Sequence, residues 1–218
     1  MKWTNKATGR TIEIYNEDCM PALEKMQENE FELAIVDPPY GIGGDSLHSN
    51  RSLNGAGKLK NRILNTGNTK WDIAPSDKYF ELLINKTNNQ IIWGGNYFDI
   101  LGRTRGFTIW DKCQPWENFS QVEFAWTSYD CPAKLYKFDN RTKDKIHPTQ
   151  KPVALYKWLL KNYAKENDRI LETHLGSGSI AIACWEMGFD LVGYELDKDY
   201  FDATCKRLDD HFRQGVLF

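Results

Sequence analysis

The chain has 218 residues, 41% hydrophobic and 27% charged, with a net charge of −2. That length suits one large domain with a packed core. No apolar run approaches the length of a membrane span, and "MKWTNKATGRTIEIYNED" has no apolar leader core, so neither a membrane partner nor a secretory signal is expected. The cysteines Cys19, Cys113, Cys131, Cys184 and Cys205 form no C-x-x-C pair, which argues against a zinc site and a disulfide framework and fits a reducing cytoplasm.

In chain order, "TIEIYNED" alternates apolar and polar residues and predicts a strand ending at Asn16–Asp18, followed by a helical turn or two in "MPALEKM". "FELAIV" predicts a buried strand that stops at Asp37 and runs into "DPPY". A long loop rich in Gly, Asn and Ser follows, from Gly41 to about Ala74, and so long a loop inside a compact domain is usually functional. "DKYFELLINKT" reads as a helix; "QIIWGG", "GFTIWDK" and "VEFAWTS" read as strands. "KPVALYKWLLKNYA" predicts a helix with Pro152 at its first turn. "DRILETHLGSGS" is a short strand running into a glycine turn, "IAIACWEMG" a helix, "FDLVGYELD" a strand ending on acids, and "KDYFDATCKRLDDHF" an amphipathic helix. Strand, turn, helix and strand in that order form the βαβ unit of a parallel sheet.

The charge is unevenly spread. From Gly41 to Trp71 stand Arg51, Lys58, Lys60, Arg62 and Lys70 against Asp45; from Cys131 to Lys151 stand Lys134, Lys137, Arg141, Lys143, Lys145 and Lys151 against Asp139 and Asp144. From Lys165 onward there are eleven acids and six bases. Arg51, Lys58, Lys60, Arg62, Lys134 and Lys137 are therefore candidates for phosphate contacts, beside the plainer reading of a solvated loop surface.

Two strand ends carry the chemistry. Glu195 follows Gly178 by 17 positions. In nucleotide-binding units an acid about 20 residues past the glycines accepts hydrogen bonds from ribose hydroxyls. At the other end, Pro38 and Pro39 have fixed φ and no N–H, leaving carbonyls aimed without local partners. A carboxylate (Asp37), an aimed carbonyl (Pro38) and an aromatic face (Tyr40) suit a planar amine: two N–H groups to the two acceptors, the ring stacked on Tyr40. D-P-P alone is common in loops; D-P-P-Y directly after a buried strand is far more specific.

D-P-P-Y, with "HPTQKP", "LGSGS", "GYELD" and "NEDC", resembles the motif set of the amino-methylating DNA methyltransferases, over nearly the whole chain and most closely the short, phage-type members. The motif order resembles the circularly permuted β-class. The resemblance implies a Rossmann-like α/β fold, a mostly parallel twisted sheet with helices on both faces, as a single domain over 1–218, with 41–75 and 113–146 as DNA-contacting, target-recognition segments. It implies transfer of a methyl group from S-adenosylmethionine to the N6 amine of adenine in DNA, as in restriction–modification. The target base would be flipped or single-stranded, and no metal is needed. A homodimer is allowed. Asp37, Pro38, Pro39 and Tyr40 would be catalytic; Asp18, Cys19, Thr149, Lys151, Glu172, Leu175, Gly176, Gly178 and Glu195 would hold the cofactor. The family usually opens its glycine loop with D-P-F or D-P-x, whereas this chain has "ETHLGSGS". Glu172 for Asp is expected to keep the charge with a longer reach, and His174 to shape backbone rather than act as a base. Cytosine-N4 methylation and a catalytically silent nucleic-acid-binding subunit are the alternatives.

Overall fold

The computed structural model describes residues 1–42, 72–115, 120–139, 146 and 150–214. Arg51, Lys58, Lys60, Arg62 and Thr149 lie outside the described residues.

The described elements are β1 (Lys2–Thr4), β2 (Thr11–Tyr15), α1 (Cys19–Lys25), β3 (Phe31–Val36), α2 (Asp77–Lys86), β4 (Thr87–Trp93), β5 (Thr108–Asp111), β6 (Val122–Thr127), β7 (Lys134–Lys137), α3 (Val153–Tyr163), β8 (Arg169–Glu172), α4 (Ser179–Met187), β9 (Asp190–Tyr194) and α5 (Lys198–Gln214). Among the described residues the strands form one sheet in the order β1-β2-β9-β8-β3-β4-β6-β5-β7. From β2 to β4 every neighbouring pair is parallel; β6 runs antiparallel to both β4 and β5, and β7 is parallel to β5. The sheet is therefore mixed, with a parallel centre.

The central strands are buried on both sides. Leu33 and Ile35 of β3 join one core with Leu155 and Leu159 of α3 and Ile180 to Cys184 of α4, whereas Ala34 and Val36 join the opposite core with Leu23 of α1 and Phe80 of α2. This is why "LAIV" reads as an unbroken apolar run rather than an alternation. Each fully buried Leu or Ile contributes about 1.5–3 kcal/mol of transfer free energy. Helix α4, between the sheet and its neighbours, is buried at every position from Ser179 to Cys184. Gly178 and Gly188 bound it at φ 69° and 76°, a left-handed conformation that other residues adopt only with strain.

Two strands escape the sequence reading. β1 is a three-residue edge strand, and β7 lies in the charge-rich 131–151 stretch, which reads as loop. Among the described residues no helix is long and apolar enough to cross a membrane.

Candidate active site

The parallel strands end at one edge of the sheet, where ligands of such sheets bind. Asp37 is the first residue past β3. Strand alternation carries it to the face of Leu33 and Ile35, under α3. Lys151, just before the Pro152 cap of α3, meets it there. The Lys151 ammonium donates to Asp37 Oδ2 and lies 3.1 Å from Glu123 Oε2, off the hydrogen-bonding direction but within ion-pair reach. Glu123 also pairs with Lys112 at 2.6 Å. The Lys151 side chain is 2% exposed and sits 5.1 Å from the centre of the Trp93 ring.

The charges alternate in sign, Asp37, Lys151, Glu123, Lys112, and this balance is what makes the burial of Lys151 among its half-buried partners tolerable. Burial by itself would push the Lys151 ammonium down; the Asp37 and Glu123 carboxylates outweigh it and hold it above its ordinary value. Burial would likewise push the Glu123 carboxyl up, and Lys151 and Lys112 hold it below its ordinary value.

Tyr40 completes the cluster. Its hydroxyl donates to Asp37 Oδ1 at 2.7 Å. Burial first, then the Asp37 charge, pushes that hydroxyl well above its ordinary range, so it stays a donor. Its ring packs on Gly94, where a Cβ would come within 2.2 Å of it and where φ is +67°. Tyr97 stacks on Tyr40 with ring centres 5.2 Å apart and is 49% exposed. The aromatic face expected to hold the target base is thus in contact with another ring.

The glycine turn stands beside this cluster, at the end of β8. Gly176 and Gly178 have φ of 53° and 69°. The Gly176 N–H donates to Glu195 Oε2 at 2.7 Å, and the Asp197 N–H to Glu195 Oε1 at 2.9 Å. Burial pushes the Glu195 carboxyl up. The Leu175 N–H donates to the Tyr194 carbonyl at 2.8 Å, fastening the turn to β9. Asn16 Nδ2 donates to the carbonyls of Glu195 and Leu196 at 2.8 and 3.1 Å, clamping the ends of β2 and β9 together. Asp18 caps α1, accepting the Met20 N–H at 2.9 Å. Cys19 is buried behind it, its thiol pushed up to about 12 mainly by burial.

Glu172 is 1% exposed. It accepts the backbone N–H of His174 at 3.0 Å, which fixes the start of the glycine turn. Burial pushes its carboxyl well above the ordinary range, so the longer acid works against keeping the charge expected of it. His174 is pushed down to about 4 by burial, and its Nδ1 lies 2.9 Å from Thr173 Oγ1, which pairs in turn with the Tyr79 hydroxyl at 2.6 Å. A neutral imidazole in such a network shapes the turn.

Of the proposed DNA contacts, Lys134 and Lys137 stand on β7, at the sheet edge away from the glycine turn. Lys134 donates to Asn162 Oδ1 at 3.0 Å, and Lys137 lies 3.8 Å from Asp111. Lys151, assigned from the sequence to the cofactor, directs its ammonium at Asp37. Sequence reasoning missed Glu123 and Lys112. The visible signal was a lone acid near the start of the strand "VEFAWT". Among the described residues no group of three or more His, Cys, Asp or Glu is arranged to hold a metal ion.

The N6/N4 family model described as "DNA methylase" matches residues 108–206. The chain is 25% identical to the Type II methyltransferase M.HpaI of Haemophilus parainfluenzae, over 89% of this chain and 73% of that protein. Its fold is similar to that of the M1.HpyAVI–SAM complex, with a TM-score of 0.59 at 20% identity, covering 90% of this chain and 100% of the other. It is equally similar to the PvuII DNA methyltransferase (cytosine-N4-specific), with a TM-score of 0.60 at 12% identity over 93% and 92% of the two chains. Together with the D-P-P-Y strand end, these likenesses make the chain similar to the DNA amino-methyltransferases of the N6/N4 type.

Proposed function

We propose that the chain transfers a methyl group from S-adenosylmethionine to the N6 amine of adenine in DNA, working in a reducing cytoplasm as part of a modification system. The observation that carries this is the Asp37 carboxylate at the end of β3, held by Lys151 beside the glycine turn and Glu195. The cofactor fits the donor set. Glu195 is a carboxylate at the β9 tip suited to vicinal hydroxyls, and Leu196, 71% exposed, is an apolar surface beside it for a purine ring. Gly176 lets the backbone approach closely. When bound, the cofactor supplies a methyl group already activated by its sulfonium.

The chain's residues supply positioning. The exocyclic amine is a poor nucleophile because its lone pair is delocalised into the base. Asp37 and the Pro38 carbonyl hold its two N–H groups, draw the lone pair out of conjugation and stabilise the positive charge that develops on nitrogen. The target base must leave the duplex to reach Asp37, and Tyr40 stacking offsets part of that cost. For the base to stack on Tyr40, Tyr97 has to yield its place. The order of D-P-P-Y before the glycine turn supports the permuted β-class arrangement. Segments 41–75 and 113–146 are where recognition of the duplex belongs, with Arg51, Lys58, Lys60 and Arg62 as phosphate contacts.

The test is to incubate the protein with unmethylated DNA and isotope-labelled S-adenosylmethionine, digest the DNA and identify the labelled nucleoside. N6-methyladenine is expected. Labelled N4-methylcytosine would move the target to cytosine, and no labelled nucleoside from either double- or single-stranded DNA would overturn the reading.

A further inference from the structure

The ion cluster behind Asp37 is larger than acceptance of an amine requires. Lys151 is sealed from solvent, and it touches the back of the carboxylate from the α3 side. Its brace comes from the far end of the sheet. Because β6 runs antiparallel to β4, its first residues lie at the edge where the parallel strands finish; Glu123 stands opposite Trp110 of β5, and β5 delivers Lys112 just beyond. Ala125 and Trp110 belong to the α3-side core, so alternation puts Glu123 and Lys112 on the face that Asp37 occupies. Five segments therefore converge on one carboxylate: the ends of β3 and β8, the start of β6, the end of β5 and the approach to α3.

We infer that Lys151, braced by Glu123 and Lys112, is the positioning residue that aims the Asp37 carboxylate at the amine. This rests on the reading of Asp37 as amine acceptor. A carboxylate with a fixed ammonium on one oxygen cannot rotate freely, so the other oxygen keeps a constant direction. The other groups facing Asp37 are the Tyr40 hydroxyl, the carboxyl of Glu172 on β8, Tyr79 of α2 and Tyr156 of α3. The tyrosines stay neutral in the working range, and burial disfavours the charge on Glu172, so Lys151 is the dominant ion on Asp37.

The experiment is single-turnover methyl transfer at saturating S-adenosylmethionine, with cofactor and DNA affinities measured alongside, for the parent, Lys151→Met and Lys151→Arg. Lys151→Met should lower the transfer rate by about 100-fold. Its affinities for S-adenosylmethionine and DNA should stay near the parent's. Lys151→Arg, which keeps the cation, should recover part of the lost rate. Removing the ammonium alone leaves two carboxylates facing each other and threatens the fold. The double variant Lys151→Met with Glu123→Gln removes one charge of each sign and should fold while keeping the slow transfer. A parental transfer rate in that double variant would overturn the inference. So would a loss confined to cofactor affinity, with the rate unchanged, which would give the ammonium to the cofactor. Asp37→Ala is run alongside: if it keeps turnover, the amine-acceptor reading itself falls, whatever Lys151 does.

Discussion

The two ends of the sheet reach the site by different routes. From β2 to β4 the strands are parallel, and each delivers its functional group where it ends: Asn16 after β2, Glu195 after β9, Glu172 at the end of β8, Asp37 after β3 and Gly94 after β4. Beyond β4 the direction reverses, and β6 brings Glu123 to the same edge with its beginning instead. The parallel part supplies the groups that would touch cofactor and base, and the reversed part braces one of them from behind. One carboxylate thus depends on both halves, and substitutions in each half should fail differently.

The largest effect belongs to the parallel half. Asp37→Ala should lower methyl transfer by at least about 10²–10³-fold, the cost of losing one preorganised partner of a developing charge. Lys151 keeps Glu123 as a partner, so the circular dichroism spectrum should match the parent's. Near-parental turnover would remove Asp37 from the chemistry.

Glu195→Ala comes next and should act on binding. It removes a charged acceptor, so calorimetric affinity for S-adenosylmethionine should fall by about 1.5–3 kcal/mol. Because Glu195 also receives the Gly176 and Asp197 N–H groups, the melting temperature should fall as well. Unchanged affinity would mean that the β9 tip does not hold the ribose.

Gly94→Ala tests the junction between the halves. The left-handed backbone there costs about 1–2 kcal/mol for a residue with a Cβ. The new Cβ would also strike the Tyr40 ring, and Gly94 donates its N–H to the Phe124 carbonyl of β6. Urea unfolding should register the loss, and transfer should slow because Tyr40 is displaced. A variant as stable as the parent would show that the turn relaxes freely.

The smallest effect is diagnostic through its sign. The Glu172 carboxyl is raised by burial, so its contribution to stability is fully present below about 4.5 and is lost as the pH rises through its folded-state value. Glu172→Gln, neutral throughout, should therefore gain on the parent in unfolding free energy as the pH is raised from about 4.5 toward 8. A parent-to-variant difference that stays constant with pH would mean that Glu172 titrates normally.

Much of this molecule is legible in its residue order. The parallel centre follows from apolar runs that end on acids or glycines, because a strand buried on both faces must be apolar throughout and a ligand-binding residue must stand where the burial stops. β8, α4 and β9 lie where "RILE", "SIAIACWEM" and "DLVGY" place them. The strand end D-P-P-Y and the glycine turn with its acid are local patterns, each spanning few residues, so local chemistry suffices to find them. Tertiary structure alone decided the partners. Lys151 is 114 residues from Asp37 in the chain, and nothing near "QKP" says that its ammonium will be buried against a carboxylate. Glu123 looks like an ordinary acid on a strand until the antiparallel turn of β6 and the alternation of its side chains set it behind Lys151. Buried charges find one another across the fold because only a pair of opposite sign repays their loss of water. That pairing is made by strand order and direction, which a linear pattern of residues does not contain.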